Sequence, residues 1–303
     1  MQTDVNFISG GLKIAGQLYV PEGEYDGARP AIVVGHPGTG VKEQAAGLYA
    51  RRLAEQGFVT LAFDAAYQGE SEGLPRGLED PAQRVEDLKA AVSYLTTREE
   101  VDTERIGVLG VCASGGYGLV ATATDLRVKA LATVSAVDIA RQFRVGADGT
   151  QDPAVFESLL TAAAAARTAE ADGADVQTFN LFPETADAAR AGGQHVYEGW
   201  EYYCTPRCLH ERSTKVLPWI SVDRIATFDA FHAVELIAPR PLLMIAGRNA
   251  VTSWMSVEAF QKARGPKEFR WIDGATHVDL YDRDEYVTPA VTKLTAFFTE
   301  SLA

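Results

Sequence analysis

A cysteine among small residues is the strongest chemical signal in the sequence. Residues 105–117 read RIGVLGVCASGGY, so an apolar run ends in a glycine-rich turn before a helical pattern begins. A nucleophile on a tight strand-to-helix turn requires small neighbours two positions away on each side, and Gly110 and Ser114 flank Cys112 in this way. The start of the following helix favours a thiolate. The pattern predicts Cys112 as a nucleophile, with a buried structural cysteine as the alternative.

A glycine-rich loop is the second signal. Residues 35–43 read GHPGTGVKE and follow an apolar run. The outer glycines resemble a phosphate-binding loop, but the Gly-Lys-Ser/Thr ending that such a loop requires is missing. Apart from a plain strand-to-helix turn, the remaining interpretation is an oxyanion hole. In it the backbone N–H groups of Gly38 and Ala113 would bind the negative charge that develops on a carbonyl oxygen.

A histidine late in the chain is the third signal. A general base for Cys112 should lie on a loop after a late strand, and His277 in GATHVD at 274–279 fits that position. The other histidines are assigned to the glycine-rich loop, a helix with a structural role, and an inserted segment where they could at most line a pocket: His36, His232, His195 and His210.

The elements that must position these residues alternate between strands and helices, which predicts a mostly parallel, doubly wound α/β sheet. Strands are expected at 4–9, 12–20, 31–35, 59–63, 106–111, 130–135, 242–246 and 269–272. Helices are expected at 43–56, 81–97, 114–124, 255–264 and 288–302.

The alternation stops near Val137 and resumes near Pro241. The intervening residues contain an alanine run and an aromatic stretch but no clear strand pattern. Because a structureless loop of this length is implausible in a compact domain, we expect a helical cap at 138–238. The α/β core then comprises 1–137 and 239–303.

The composition of the chain disfavours several classes of binding partner. The 303 residues carry a formal net charge of −13 with a pI near 4.9, so nucleic acid and anionic membranes are disfavoured. No apolar run reaches the roughly 20 residues of a membrane span, no signal peptide is expected, and a cytoplasmic location follows. Three cysteines do not make a disulfide framework. Cys204, Cys208 and His210 lack the fourth ligand of a closed zinc site, so no metal is expected.

These motifs together resemble the α/β-hydrolase superfamily, in particular its dienelactone-hydrolase-like branch, in a subgroup of bacterial hydrolases and fungal polyketide-transferring enzymes. The resemblance implies Cys112 as nucleophile, His277 as base, and Gly38 and Ala113 as oxyanion donors. It also implies a cap that often contributes to dimer contacts in related enzymes, while the sequence itself leaves the oligomeric state, including a homodimer, open. The matching segments are Gly35–Gln44, Phe63–Gly73, Ile106–Tyr117, Tyr202–Arg207, Thr227–Glu235, Pro241–Gly247 and Gly274–Asp282.

One position departs from that family. Its members usually place the acid of the triad in a Gly-x-x-Ala-Asp-Thr pattern, and here Val251 stands where the aspartate is expected. Valine can neither orient His277 nor stabilise its cation. Asn249 could replace the acid, Asp279 or Asp273 could approach from the loop of His277, or the orienting group could be absent.

The sequence therefore predicts a cysteine-dependent hydrolase or acyltransferase that acts on an ester, lactone or thioester through a thioester intermediate, in natural-product or polyketide metabolism. Cysteine–histidine acyl chemistry needs no cofactor, and the partner is a small-molecule acyl substrate. The alternatives are a non-hydrolytic lyase, isomerase or cyclase with an incomplete triad, and a non-catalytic binding protein. His36, Thr39, Trp200 and Tyr203 are expected in the substrate pocket.

Overall fold

A central β-sheet organises the molecule. The computed structural model describes residues 1–23 and 27–303. The strands are β1 (Gln2–Ser9), β2 (Leu12–Tyr19), β3 (Arg29–Gly35), β4 (Val59–Phe63), β5 (Val101–Val111), β6 (Val128–Val134), β7 (Thr178–Asn180), β8 (Val216–Pro218), β9 (Leu242–Gly247) and β10 (Lys267–Ile272). Within the described residues, eight of them form one sheet in the order β1-β2-β4-β3-β5-β6-β9-β10. β2 pairs antiparallel with β1 and β4, and the other neighbours pair parallel.

The sequence predicts all eight strands of this sheet, and its α/β fold class is confirmed. The central parallel strands are buried on both faces and therefore read as continuous apolar runs. β5 starts at Val101, five residues before the predicted start, because residues 102–105 are polar and separate Val101 from the apolar run. The pairing of Arg29 with Val101 extends the ladder there.

Helices cover both faces of the sheet. α2 is capped by Asp80, whose carboxylate accepts from the N–H groups of Ala82 and Gln83. No helix in the described ranges is long and apolar enough to cross a membrane. The helices are α1 (Ala45–Ala54), α2 (Pro81–Leu95), α3 (Ala113–Thr124), α4 (Ile139–Val145), α5 (Pro153–Ala171), α6 (Ala186–Ala191), α7 (Gln194–Cys204), α8 (Ile220–Ala226), α9 (Ser253–Lys262), α10 (Asp279–Asp282), α11 (Asp284–Ser301) and a 3₁₀ helix at Val234–Ile237.

The chain between β6 and β9 is mainly helical and contains α4 to α8. It also holds β7 and β8, which pair antiparallel although the sequence gives no clear strand signal there. Each is three residues long, too short for an alternating pattern to be visible. His232 lies in a turn and not in the predicted helix.

The end of this segment packs with the core. Phe231 and Val234 are buried in the same apolar cluster as the side chains of α3. The Asp138 carboxylate links the two ends of the segment, because one oxygen caps α4 and the other accepts from the Ala230 N–H at 2.8 Å. Phe231 and Val234 therefore pack with core side chains although they lie within residues 138–238.

Candidate active site

Cys112 occupies a strained turn between β5 and α3. Its backbone has φ 56° and ψ −118°, in a region that residues other than glycine rarely adopt. Three backbone hydrogen bonds hold it there: its N–H donates to Val134, and its carbonyl accepts from Gly115 and Val137. This fixed turn projects the thiol from the end of the strand.

The small neighbours of Cys112 are required by close packing. A Cβ atom on Gly110 would lie 2.1 Å from the carbonyl oxygen of Ser114, and one on Gly35 would lie 2.7 Å from Ser114 Oγ. Ser114 Oγ also donates to the carbonyl of His36 at 2.6 Å. The turn at Cys112 is thereby joined to the loop after β3.

Two backbone donors converge on the sulfur. The N–H groups of Gly38 and Ala113 both donate towards the Cys112 sulfur. Ala113 is the first residue of α3, so its N–H has no acceptor within the helix. The two donors predicted from sequence are therefore adjacent to the proposed nucleophile, where they can stabilise negative charge on sulfur or on a bound acyl oxygen.

The Cys112 thiol is protonated at rest. Desolvation raises its pKa, and interactions with the Tyr281 hydroxyl and with the two backbone N–H groups only partly offset that effect. The N–H group of Ala113 at the helix start lowers the pKa of the thiol, as expected from the sequence, but burial outweighs it. A thiol in this state needs a base at the moment of attack.

His277 is fully buried in the loop after β10, and a hydroxyl contacts each of its ring nitrogens. Nδ1 lies 2.5 Å from Thr252 Oγ1, and Nε2 lies 2.9 Å from the Tyr281 hydroxyl. The Tyr281 hydroxyl also interacts with the Cys112 thiol. The four side chains form one chain of hydrogen-bonding groups in the order Cys112, Tyr281, His277, Thr252.

His277 is neutral at pH 7. Desolvation lowers its pKa well below 6.5, and His195 adds to that effect. The two imidazole rings meet edge to face with centroids 4.8 Å apart. A neutral imidazole can accept a proton, so His277 has the protonation state that a general base requires.

The side chains expected to orient His277 are engaged elsewhere. Asn249 is exposed, and its Nδ2 donates to the Gly274 carbonyl at 3.1 Å. Asp279 accepts from the N–H of Thr276 at 3.1 Å and pairs with Arg283 at 2.9 Å. Because hydroxyl groups contact both ring nitrogens of His277, the group on Nδ1 is neither of these.

Sequence reasoning missed both hydroxyl partners of His277. Thr252 directly follows Val251, so a polar side chain was available one residue after the missing acid. Tyr281 stands four residues after His277, the spacing that places two side chains on one face of a helical turn. Either signal could have identified them.

The loop that carries Gly38 is anchored by a buried charge cluster. Lys42 is 1% exposed, and its Nζ lies 2.9 Å from Asp64 Oδ2 and 2.5 Å from Glu70 Oε2. The other Asp64 oxygen accepts from the Lys42 N–H at 2.7 Å. Asp64 therefore holds the loop in place at a distance from the acyl chemistry.

A cavity of about 170 Å³ opens above Cys112. Its walls are mainly apolar, with polar groups from Glu79, Gln142 and His195. Such a lining suits a small acyl group that carries few polar atoms. The apolar wall includes Ile139, Phe143, Leu181, Phe182, Val196 and Leu217.

The expected pocket residues divide into two pairs. Thr39 and Tyr203 line the cavity, as the sequence predicts. His36 is instead buried behind the loop, where its Nε2 accepts from a backbone N–H at 3.0 Å. Trp200 stacks on another aromatic ring of α7, outside the cavity lining.

The cysteines of the inserted segment are free thiols. Cys204 ends α7 and Cys208 lies in the turn that follows. Within residues 1–23 and 27–303, no group of three or more His, Cys, Asp or Glu is arranged to hold a metal ion.

Comparison with known proteins gives consistent results. The model of the family described as "Dienelactone hydrolase family" matches residues 14–137. The uncharacterized protein YcjY of Escherichia coli is 40% identical over 96% of this chain and 95% of its own length. The crystal structure of hypothetical protein PA2218 from Pseudomonas aeruginosa superposes with a TM-score of 0.92 at 35% identity, covering 99% of this chain and 94% of that chain. Thiohydrolase aneE of Aspergillus aculeatus is 28% identical over 92% of this chain and 87% of its own length. A relative at 24% identity is named an acyltransferase.

Proposed function

The chain belongs to the dienelactone hydrolase family of α/β hydrolases and is a hydrolase or acyltransferase; we propose that it acts on a small ester, lactone or thioester through an acyl-enzyme on Cys112. The observation that carries the proposal is the convergence on one sulfur of two backbone N–H donors and the Tyr281–His277 pair. The thiohydrolase name of the fungal relative supports thioester substrates.

Acylation begins when the Cys112 sulfur attacks the substrate carbonyl and forms a carbon–sulfur bond. The thiol proton passes to the Tyr281 oxygen while the Tyr281 proton passes to His277 Nε2. The carbonyl electron pair moves to oxygen, where the N–H groups of Gly38 and Ala113 stabilise it. When the carbonyl re-forms, the bond to the leaving group breaks and the imidazolium proton returns along the same path to that group.

Deacylation uses the same groups, with an acceptor molecule as the nucleophile and the Cys112 sulfur as the leaving group. Water, an alcohol or an amine adds to the thioester, and His277 receives its proton through Tyr281. The carbon–sulfur bond then breaks, and the proton returns to the Cys112 sulfur. Whether the product is an acid, an ester or an amide depends on which nucleophile enters the apolar cavity. We therefore propose that the inserted helices determine the ratio of hydrolysis to acyl transfer.

A second candidate function rests on the group that contacts His277 Nδ1. Thr252 is neutral and Val251 replaces the family's usual aspartate, so nothing at this position stabilises an imidazolium by charge. This arrangement favours a lyase, isomerase or cyclase in which His277 moves a proton without acyl transfer. Such an enzyme turns over a biosynthetic intermediate and forms no acyl adduct.

Mass spectrometry of the intact protein tests the proposal. Incubation with an N-acetylcysteamine thioester of hexanoate should add one acyl mass, located by peptide mapping to Cys112 and lost in Cys112→Ala. Cys204→Ala and Cys208→Ala are matched controls, since both thiols lie outside the cavity lining, and they should acylate like wild type. An adduct that survives Cys112→Ala, or no adduct at all, rejects the acyl-enzyme. Turnover of a biosynthetic intermediate without any acyl adduct supports the second candidate function, a lyase, isomerase or cyclase.

A further inference from the structure

Glu79 is a buried carboxylate in the wall of the cavity that contains Cys112. It is 2% exposed and immediately precedes Asp80, the cap of α2. Its Oε1 accepts from the Tyr117 hydroxyl at 2.6 Å and lies 3.4 Å from Arg84 Nε. Its backbone N–H donates to Ser221 Oγ at 3.1 Å. Two of these contacts hold one carboxylate oxygen and the third holds the backbone, so the side chain has a fixed position in the wall.

The second oxygen of this carboxylate lacks a protein partner. Across residues 1–23 and 27–303, no hydrogen-bond donor reaches Glu79 Oε2 although that atom is buried. A buried acceptor without a donor is destabilising, and more so when it carries charge. Because Glu79 lines the same cavity as Cys112, a ligand in that cavity is placed to supply the donor.

The charges around Glu79 indicate which kind of substrate group can donate to its Oε2 atom. Arg84 is 4% exposed and pairs with Glu79, so the two side chains together carry no net charge. A substrate ammonium group would add an uncompensated buried charge, which is strongly unfavourable. A hydroxyl adds a donor without charge. Among the described residues the buried Nδ1 of His195 also lacks a partner, but a neutral imidazole can donate or accept and so does not specify the substrate.

We propose that Glu79 accepts a hydrogen bond from a hydroxyl group on the acyl chain of the substrate, so that the preferred substrates are hydroxyacyl esters or thioesters. This inference rests on the proposed acyl-enzyme at Cys112. Glu79 is in this view a specificity-determining residue, which Tyr117 and Arg84 orient. The apolar remainder of the cavity holds the hydrocarbon part of the chain.

A substrate series on the wild-type protein tests the inference first. N-acetylcysteamine thioesters of hexanoate carrying a hydroxyl at each of carbons 2 to 5 are compared with plain hexanoate and with the matching ketones, after subtraction of uncatalysed rates. At one position, kcat/KM for the hydroxyacyl thioester should exceed that of plain hexanoate roughly 10- to 100-fold, the worth of a hydrogen bond to a charged group. The ketone has the size of the alcohol but cannot donate, so it should show no such advantage.

The variant Glu79→Gln then assigns the preference to the carboxylate. Its amide can present an N–H where Oε2 stood, so the hydroxyl-to-ketone ratio of kcat/KM should fall at least about tenfold. Glu157→Gln, an exposed change on α5, is the charge-matched control and should keep the ratio of the wild type.

The outcomes separate this inference from the proposed function. Acylation of Cys112 by all thioesters with no hydroxyl preference overturns the role of Glu79 and leaves the acyl-enzyme standing. A preference that Glu79→Gln leaves unchanged also overturns it. If no thioester acylates Cys112, both proposals fail. If Glu79→Gln does not fold, the wild-type series alone still decides whether a hydroxyl is selected.

Discussion

The site has two halves that are supported by different physical means. The nucleophile half consists of Cys112 with the N–H groups of Gly38 and Ala113, and buried ion pairs fix its loop and its wall. The base half consists of His277 between two hydroxyls, Thr252 and Tyr281. Charge therefore supports the loop around the sulfur, and neutral hydrogen bonds hold the imidazole.

This difference matches the needs of a sulfur nucleophile. A thiol is more acidic and more nucleophilic than an alcohol, so it depends less on a base backed by a carboxylate. A neutral Thr252 can orient His277 but cannot stabilise the imidazolium through charge. The arrangement should therefore serve a cysteine adequately and a serine poorly.

Replacing the nucleophile should cause the largest loss of activity, because the neutral base half suits a thiol and not an alcohol. Cys112→Ser should lower kcat/KM for an activated thioester by about 10⁴, since loss of the triad acid costs a serine enzyme roughly that factor. The double variant Cys112→Ser/Thr252→Asp, which adds a carboxylate at His277 Nδ1, should recover part of the loss. A kcat/KM of Cys112→Ser within tenfold of the wild-type value would contradict the claim that this base half serves a serine poorly.

Removing the base should have the next largest effect. His277→Ala should slow acylation of Cys112 by about 10³, within the range for a general base. Because the pKa of His277 lies well below 6.5, its base form persists as pH falls through 6.5, so the wild-type rate should stay flat from pH 8 to 6.5 and fall only further down. In His277→Ala the rate should follow the thiolate and keep rising above pH 9, because burial raises the pKa of Cys112. Identical pH profiles would exclude His277 as the base.

The same contrast separates what the sequence predicts from what it does not. The turn at Cys112 is predictable because local sterics require Gly110 and Ser114 within a few residues. The core strands are predictable because strands that are buried on both faces consist of continuous apolar residues. Both signals are contiguous in sequence, so one chain is enough to find them.

The partners of His277 leave no such contiguous signal. Thr252 reaches the ring from the loop before α9, and that contact depends on how β9 and β10 are placed side by side. Asn249 and Asp279 had suitable chemistry at plausible spacing, but backbone groups of nearby turns engage them. Glu79 is similar: its role depends on an unpartnered atom and a cavity, which only the folded structure shows.

Removing the Tyr281 hydroxyl tests the link between the halves. Tyr281→Phe should slow acylation about 10- to 100-fold, because the proton path from Cys112 to His277 loses its middle group. Tyr202→Phe is the matched control, since its ring packs edge to face against Tyr281 with centroids 5.2 Å apart while its hydroxyl interacts with Cys208. Burst kinetics should show a normal rate for Tyr202→Phe. A wild-type burst in Tyr281→Phe would mean that Cys112 transfers its proton to His277 directly.

The smallest effect should come from the group that replaces the triad acid. Thr252→Val keeps the shape of the side chain but removes one buried hydrogen bond to His277 Nδ1, worth about 1 kcal/mol, so kcat should fall about five- to tenfold. Thr252→Ser keeps the hydroxyl and should stay near wild type. Thr133→Val removes a buried hydroxyl that has no partner in the described part of the chain, so it controls for the loss of a buried hydroxyl and should not reduce kcat. If Thr252→Val is as active as Thr252→Ser, then packing alone orients the imidazole, and the base half needs no polar partner on that side. The neutral hydroxyl would then have no catalytic role, and the tolerance for Val251 would come entirely from the reactivity of the cysteine.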